Sequence, residues 1–158
     1  FSQNVFGRGV LLVTMRVPVA VLRNSKNVML SDKGVFYTSP VLRQDLPTIG
    51  LPASELDPTM TLAGSTDLVR LAELCSAISS ALPKGPWMVE RNSRGMISLT
   101  RDAPCRVVLG TSDRLPEKIS LLVRVLRERP QIFEQSKEVN LTAPSNPGVV
   151  PLAPISQP

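Results

Sequence analysis

The sequence predicts an α+β fold, in which a mostly antiparallel (mixed) β-sheet carries two helices packed on one face. Short apolar and β-branched runs, separated by Pro, Gly and Asn turns, indicate the strands. Two longer stretches, residues 65–82 and 115–129, instead repeat apolar residues at helical spacing. Because each stretch has a single apolar stripe, we expect both helices to cover the sheet that contains the buried strand 105–109.

The first half of the chain carries strand signals and one irregular stretch. The predicted strands are residues 10–17, 19–22, 28–31 and 35–38. The last two surround Asp32-Lys33-Gly34, which is typical of a hairpin whose glycine supplies a positive φ. Prolines are frequent between residues 40 and 58 and argue against a long helix or a central strand there. We therefore expect residues 40–58 to wrap over the surface.

The second half predicts a helix, a meander, a second helix and a last strand. The helix over 65–82 has an apolar stripe formed by Leu68, Leu71, Leu74, Cys75, Ile78 and Leu82. The predicted strands after it are residues 87–91, 96–101, 105–109 and 137–142. Ser112 or Asp113 is expected to cap the helix over 115–129, with Pro116 in its first turn.

Composition favours a folded, non-enzymatic chain. With 158 residues, 42% of them hydrophobic and 20% charged, the chain can bury a real core. It has no histidine, which removes the usual serine and cysteine triads and most histidine-based metal sites. Asp102 and Asp113 flank the central strand, but both lie in turns, where aspartate serves local hydrogen bonds. We therefore predict no catalytic residue, no metal and no cofactor.

Charge and cysteines leave alternatives open. A net charge of +5 is compatible with nucleic acid, an anionic membrane surface or simple solubility. The basic residues that cluster most are Arg91, Arg94, Arg101 and Arg106. No aromatic residues are interleaved with them, so we expect a solvated basic face and no nucleic-acid partner. Cys75 and Cys105 lie on predicted apolar faces and are expected to be free buried thiols; a disulfide between them stays the alternative.

Five short motifs follow one another in an order that carries a family resemblance. They are Arg16-Val17-Pro18-Val19-Ala20, residues 28–36, Leu46-Pro47-Thr48-Ile49-Gly50, residues 107–110 with 117–119, and Val139-Asn140-Leu141. Together they resemble the extracytoplasmic part of the FtsQ/DivIB bacterial cell-division family over about residues 10–150. The first resembles the family's junction between its POTRA domain and its β domain. Asn140 stands where the family usually has an aspartate.

The resemblance implies how the chain is divided and where it works. Residues 1–17 would be the last strand, or remnant, of an upstream POTRA domain, and residues 18–152 an FtsQ/DivIB-like β domain. Residues 153–158 are predicted to be a Pro-rich disordered tail, because prolines are concentrated at the end of the chain. The family implies a single membrane span that is missing from this chain, with this part outside the cytoplasmic membrane at the division septum.

The resemblance further implies a non-enzymatic scaffold for cell division. It would link bitopic partners of the FtsB/DivIC and FtsL type, and other septal proteins, by adding a partner strand to a sheet edge. The expected partner-binding residues are Val139, Asn140, Leu141, Thr142, Ser145, Gly148, Val149 and Val150. Pro147 and Pro151 each lack a backbone donor, so pairing should centre on 148–150, or on 139–142 if the last strand is missing.

The sequence leaves two other functions open beside the scaffold. A basic module that binds nucleic acid or another anionic polymer is the alternative, and it depends on net charge alone. A small hydrolase has no specific residue pattern in its favour.

Overall fold

The computed structural model describes residues 2–3, 9–10, 15–25, 27–52, 66–101 and 104–152. These residues form a nine-stranded mixed sheet, a separate two-stranded pair and three helices, in agreement with the predicted α+β class. The separate pair joins β1 (Ser2–Gln3) to β2 (Gly9–Val10). The predicted tail, residues 153–158, lies outside the described residues, so its disorder stays a prediction.

The large sheet and the helices account for most of the described chain. Its strands are β3 (Pro18–Leu22), β4 (Val28–Ser31), β5 (Phe36–Thr38), β6 (Thr48–Gly50), β7 (Met88–Arg91), β8 (Ile97–Thr100), β9 (Arg106–Gly110), β10 (Ser136–Asn140) and β11 (Gly148–Pro151). The helices are α1 (Thr66–Ala81), α2 (Leu115–Glu128) and α3 (Ile132–Gln135). The spatial order is β11-β10-β9-β8-β7-β6-β3-β4-β5. Neighbours run antiparallel except in three parallel pairs: β9 with β10, β3 with β6, and β6 with β7.

A row of buried side chains crosses the centre of this sheet. The strand register aligns Ile49, Val89, Leu99, Val107 and Val139, and each is at most 1% exposed. The apolar stripes of α1 and α2 belong to the same core, and the two helices contact each other. Both long helices therefore cover one face of the sheet, as their stripes predict.

Strand β6 corrects the prediction for residues 40–58. Its three residues lie in the middle of the sheet, parallel to β3 on one side and β7 on the other. Pro47 immediately precedes the strand and has no N–H. It still takes part in the pairing with β3, because its carbonyl accepts the Val21 N–H at 2.9 Å. Ile49 is fully buried. The prolines therefore bound a short central strand, and the prediction that they exclude one was wrong.

The start of α2 also differs from its prediction. Neither Ser112 nor Asp113 caps the helix; the N-cap is Arg114, in a left-handed conformation with φ 53° and no capping side-chain hydrogen bond. The Arg114 guanidinium instead donates to the Glu117 carboxylate, with Nε 3.1 Å from each oxygen. Pro116 lies in the first turn, as predicted. A local ion pair thus takes the place of the expected cap.

The N-terminal strands agree with the prediction only in part. Of the strand predicted over 10–17, Val10 lies in β2 and residues 15–17 are not in a strand, while residues 11–14 lie outside the described part of the chain. The 28–38 hairpin forms as predicted from β4 and β5. Gly34 adopts φ 70° in its turn. Its Cα lies against α1: a Cβ placed there would come within 2.7 Å of the Val69 nitrogen.

We expect Gly34→Ala to destabilise the protein far more than Gly95→Ala. Both glycines have positive φ, at 70° and 75°, so alanine is strained by about 1 kcal/mol at either site. Only at Gly34 would the new methyl meet helix backbone, whereas at Gly95 the nearest atom is an Arg91 side-chain nitrogen at 3.9 Å. The clash should add about 1–3 kcal/mol. Urea unfolding of the two variants measures the difference, and equal losses would contradict the close hairpin–helix contact.

We expect Leu122→Asp to lower the free energy of unfolding by several kcal/mol, from lost burial and an unpaired buried charge. Leu122 is fully buried on α2, while Ser120 on the same helix is exposed. Ser120→Asp introduces the same carboxylate and is the matched control, with an expected change of about 0.5 kcal/mol or less. Melting temperatures that match for the two variants would rule out α2 as a cover of the sheet.

Candidate partner-binding edge

The residues predicted to bind a partner are divided between the interior and the edge of the sheet. Val139 and Asn140 lie in β10, which is paired to β9 on one side and to β11 on the other. Val139 is 1% exposed and Leu141 is fully buried. The Asn140 Oδ1 accepts the Thr142 N–H at 3.0 Å, which turns the chain out of β10. Val139 and Leu141 therefore support the edge from within, while Asn140 and Thr142 lie at the end of β10. The open edge at this end of the sheet belongs to β11.

Ser145 lies in the connection between the two last strands. It is exposed, in a turn in which the Asn146 N–H donates to the Ala143 carbonyl at 3.0 Å. The turn brings the chain back antiparallel to β10, so that Gly148 pairs with Asn140. Ser145 is thus close to the edge in sequence without being part of its ladder.

Strand β11 forms the outer edge of the sheet in spite of its prolines. It pairs with β10 alone, with Val149 opposite Val139 and Val150 opposite Glu138. Val149 and Val150 are 50% and 47% exposed. The last strand therefore exists, and of the two edge arrangements that the sequence allows, the one centred on Gly148–Val150 is present.

Two hydrogen bonds fix which backbone groups of β11 face outwards. The Leu152 N–H donates to the Gln135 carbonyl at 3.0 Å, so it points towards β10. The Leu141 N–H donates to Val108 of β9 at 2.8 Å, so the amide of Asn140, one residue earlier, faces β11 and its partner Gly148. Amides alternate in direction along a strand, and both observations therefore point Gly148, Val150 and Leu152 inwards and Val149 outwards.

The two prolines occupy positions where an amide would point outwards. Pro147 and Pro151 lie two residues before and two residues after Val149, so an amide at either position would point outwards as that of Val149 does. Proline has no N–H, so neither position offers a donor. No cis peptide occurs in the described residues, so each carbonyl points opposite to the following amide. The carbonyls of Pro147, Val149 and Pro151 therefore face outwards. The free edge over residues 147–151 presents three acceptors and a single donor, the Val149 N–H.

A groove lies beside this edge on the helix-covered side of the sheet. The Val149 side chain is on that side because it pairs with the core residue Val139. The groove has a volume of about 570 Å³, and its lining consists of Glu128, Arg129, Pro130, Gln131, Ile132, Gln135, Ser136, Val149 and Pro151. Ile132 is 8% exposed, and gives the groove an apolar element among amide and charged groups. A strand added to β11 could place alternate side chains here.

Three of the four basic residues that cluster in the sequence are engaged in separate interactions, and the fourth, Arg94, is exposed. Arg91 forms an ion pair with Asp67 at 2.8 Å. Arg106 donates to the Ser98 hydroxyl at 3.0 Å, and Arg101 lies over the Trp87 ring at 5.6 Å from its centroid. Arginines held in this way give the anionic-polymer alternative little support from geometry.

The described ranges contain no group of side chains that could hold a metal ion. No cluster of three or more histidine, cysteine, aspartate or glutamate side chains occurs among those residues. Asp113 accepts the Thr111 hydroxyl at 3.0 Å, which is the local role expected of it, and Asp102 lies outside the described residues. Both cysteines are free and buried, as expected. Burial raises the pKa of Cys75 to about 12 and also raises the pKa of Cys105, so neither thiol is an activated nucleophile.

The sequence indicates the groove and the outward-facing backbone groups of β11 only in part. No pattern in the sequence marks residues 130–136 as part of a site, although Ile132 and Gln135 line the groove. In the sequence, Pro147 and Pro151 indicate two missing donors, and their even spacing is the available signal that both face the same way. The direction itself required the register, which a bulge between Ser136 and Glu138 shifts by one residue.

No model of a known protein family matches the sequence, and no curated protein is significantly similar to it. Among the described residues, every helix is too short or too polar to cross a bilayer. The FtsQ/DivIB resemblance therefore stands on the five motifs and their order.

We expect the stability of the protein to fall between pH 9 and about 12, in part because of Cys75. The pKa of this thiol is about 12 in the folded chain against an ordinary value of 9.0, so the unfolded chain loses the proton first and is favoured as the pH rises. Cys75→Ala should reduce stability at neutral pH, through the cavity, and flatten the alkaline decline. Urea unfolding across this pH range tests it; an unchanged decline in Cys75→Ala would contradict the prediction.

Proposed function

We propose that this chain is a non-enzymatic scaffold of bacterial cell division, related to the FtsQ/DivIB family, that docks a partner strand on the edge of β11. The partners would be bitopic proteins of the FtsB/DivIC and FtsL type, met outside the cytoplasmic membrane at the division septum. A membrane span outside residues 1–158 would anchor it. The observation that carries the proposal is the open β11 edge, with its outward backbone groups beside the groove.

The correspondence between motifs and elements supports this proposal. The motif that begins at Arg16 leads into β3, and residues 28–36 form most of the β4–β5 hairpin. Residues 46–50 include β6. The motif over 107–110 and 117–119 is β9 followed by the first turns of α2, and Val139-Asn140-Leu141 ends β10. Each motif therefore falls on a structural element in the order that the resemblance implies.

The chemistry of β11 supports docking by strand addition. An added strand gains its affinity from backbone hydrogen bonds and its specificity from alternate side chains. Val149 offers both an outward amide and an outward carbonyl, and its side chain borders the groove. A partner residue opposite Val149 would exchange two hydrogen bonds with it and direct its side chain towards the groove. We prefer this function to the anionic-polymer alternative because the β11 edge is open, while three of the four clustered arginines are engaged elsewhere.

We expect Val149→Pro to weaken partner binding about tenfold more than Val149→Ala. Both changes shorten or reshape the side chain, but only proline removes the outward N–H, and a lost hydrogen bond with its desolvated acceptor is worth roughly 1–2 kcal/mol. The partner is first captured from bacterial membranes with residues 1–158 as bait and identified by mass spectrometry. Its affinity for each variant is then measured by biolayer interferometry.

Both variants should keep the wild-type melting temperature, because the Val149 amide makes no hydrogen bond to β10. Val150→Ala serves as a second control, since its side chain is on the opposite face of the same strand. Partner binding that survives both Val149→Pro and truncation after Pro144 would show that the partner docks elsewhere.

A further inference from the structure

The prolines of β11 have a consequence for which strands can pair with it. In a β-ladder, each hydrogen bond needs one amide from one of the two strands. Over residues 147–151 the free edge holds one outward amide, at Val149, against three outward carbonyls. The number of bonds across this edge is therefore limited mainly by the donors that the incoming strand brings.

We infer that this edge is an acceptor edge, which rejects a second copy of itself and accepts a foreign strand with three unmodified amides at alternating positions. Each β11 edge holds one outward amide, so two copies paired edge to edge can form at most two hydrogen bonds, whichever way the strands run. A strand without proline at the three facing positions adds three donors to the Val149 amide, for up to four bonds. The inference rests on the proposed use of β11 as a docking edge, and names the class of strand that it takes.

The preference for a foreign strand over a second copy is stronger than the number of hydrogen bonds indicates, because pairing also buries the outward carbonyls. If two copies paired, the carbonyls of Pro147 and Pro151 in each copy would face a proline nitrogen and lose water without gaining a donor. A foreign strand with free amides would satisfy all three carbonyls. Exposed apolar side chains at Val149 and Val150 would otherwise favour edge-to-edge association. The prolines thus oppose self-association at the part of the strand where exposed apolar side chains favour it.

The first test changes the donors of the protein itself and needs no partner. Pro147→Ala with Pro151→Ala restores two outward amides, so that two copies can form six bonds in place of two. The double variant should self-associate at least about 100-fold more tightly than wild type, since each added bond contributes about fivefold. Sedimentation equilibrium of the 158-residue chain measures this. Pro144→Ala is the matched control, because Pro144 lies in the turn before the strand, and it should behave like wild type.

The second test keeps the wild-type protein and changes the incoming strand. The probes are two synthetic β-hairpins whose outer strand copies residues 146–152, one with the native prolines and one with alanine at both proline positions. The companion strand of each hairpin occupies the amides of residues 148, 150 and 152, as β10 does in the protein, so that only the edge with positions 147, 149 and 151 is free to pair. The alanine hairpin should bind about 10–30-fold more tightly, because it adds two donors. Binding is followed by the NMR shift of the Val149 amide. This arm decides the matter if the double variant fails to fold.

The outcomes separate this inference from the proposed function. Equal binding of the two hairpins, no shift of the Val149 amide with either, or a double variant that folds and stays as monomeric as wild type would each overturn the acceptor edge. If the hairpins discriminate as expected while no division protein is captured from membranes, the acceptor edge stands and the proposed partners are wrong.

Discussion

The whole arrangement depends on one constraint: five apolar side chains are aligned across neighbouring strands, and two helices must shield them from water. Ile49, Val89, Leu99, Val107 and Val139 are aligned across five neighbouring strands. A shift of one residue in any of these strands would turn an apolar side chain to the other face. The register of the core is therefore transmitted to the outermost strand, where it puts the Val149 side chain on the helix side and the prolines on the outward backbone positions.

The sequence predicts best those parts of the fold where one residue pattern has one structural solution. The apolar stripes of α1 and α2 belong to this group, and all six residues of the first stripe are buried. The 28–38 hairpin is similar, because glycine is the residue that favours φ 70° in its turn. β6 was missed because its strand character comes from two parallel neighbours that are distant in sequence. Local propensity in a three-residue stretch between prolines cannot report such pairing.

The turn before α2 was missed for a different reason. Sequence rules favour a short polar side chain as a helix cap, and two were available. The chain instead closes this turn with long side chains: Arg114 reaches Glu117, and the buried Lys118 ammonium donates to the Thr111 carbonyl at 2.9 Å. Burial lowers the pKa of Lys118, which marks how far this ammonium is removed from water. The candidate site is likewise indicated by the sequence as a segment, but the facing of each amide depends on the register between β10 and β11.

The position of β3 within the sheet gives the proposed scaffold a mechanical direction. The chain enters the large sheet at β3, and six strand-to-strand steps separate β3 from β11. At about 4.8 Å a step, this is roughly 29 Å measured perpendicular to the strands. A load between the start of the domain and a strand docked on β11 would therefore run along the inter-strand hydrogen bonds. It would open a ladder bond by bond, as in peeling, and β11, held by β10 alone, would separate before the helix-covered centre of the sheet yields.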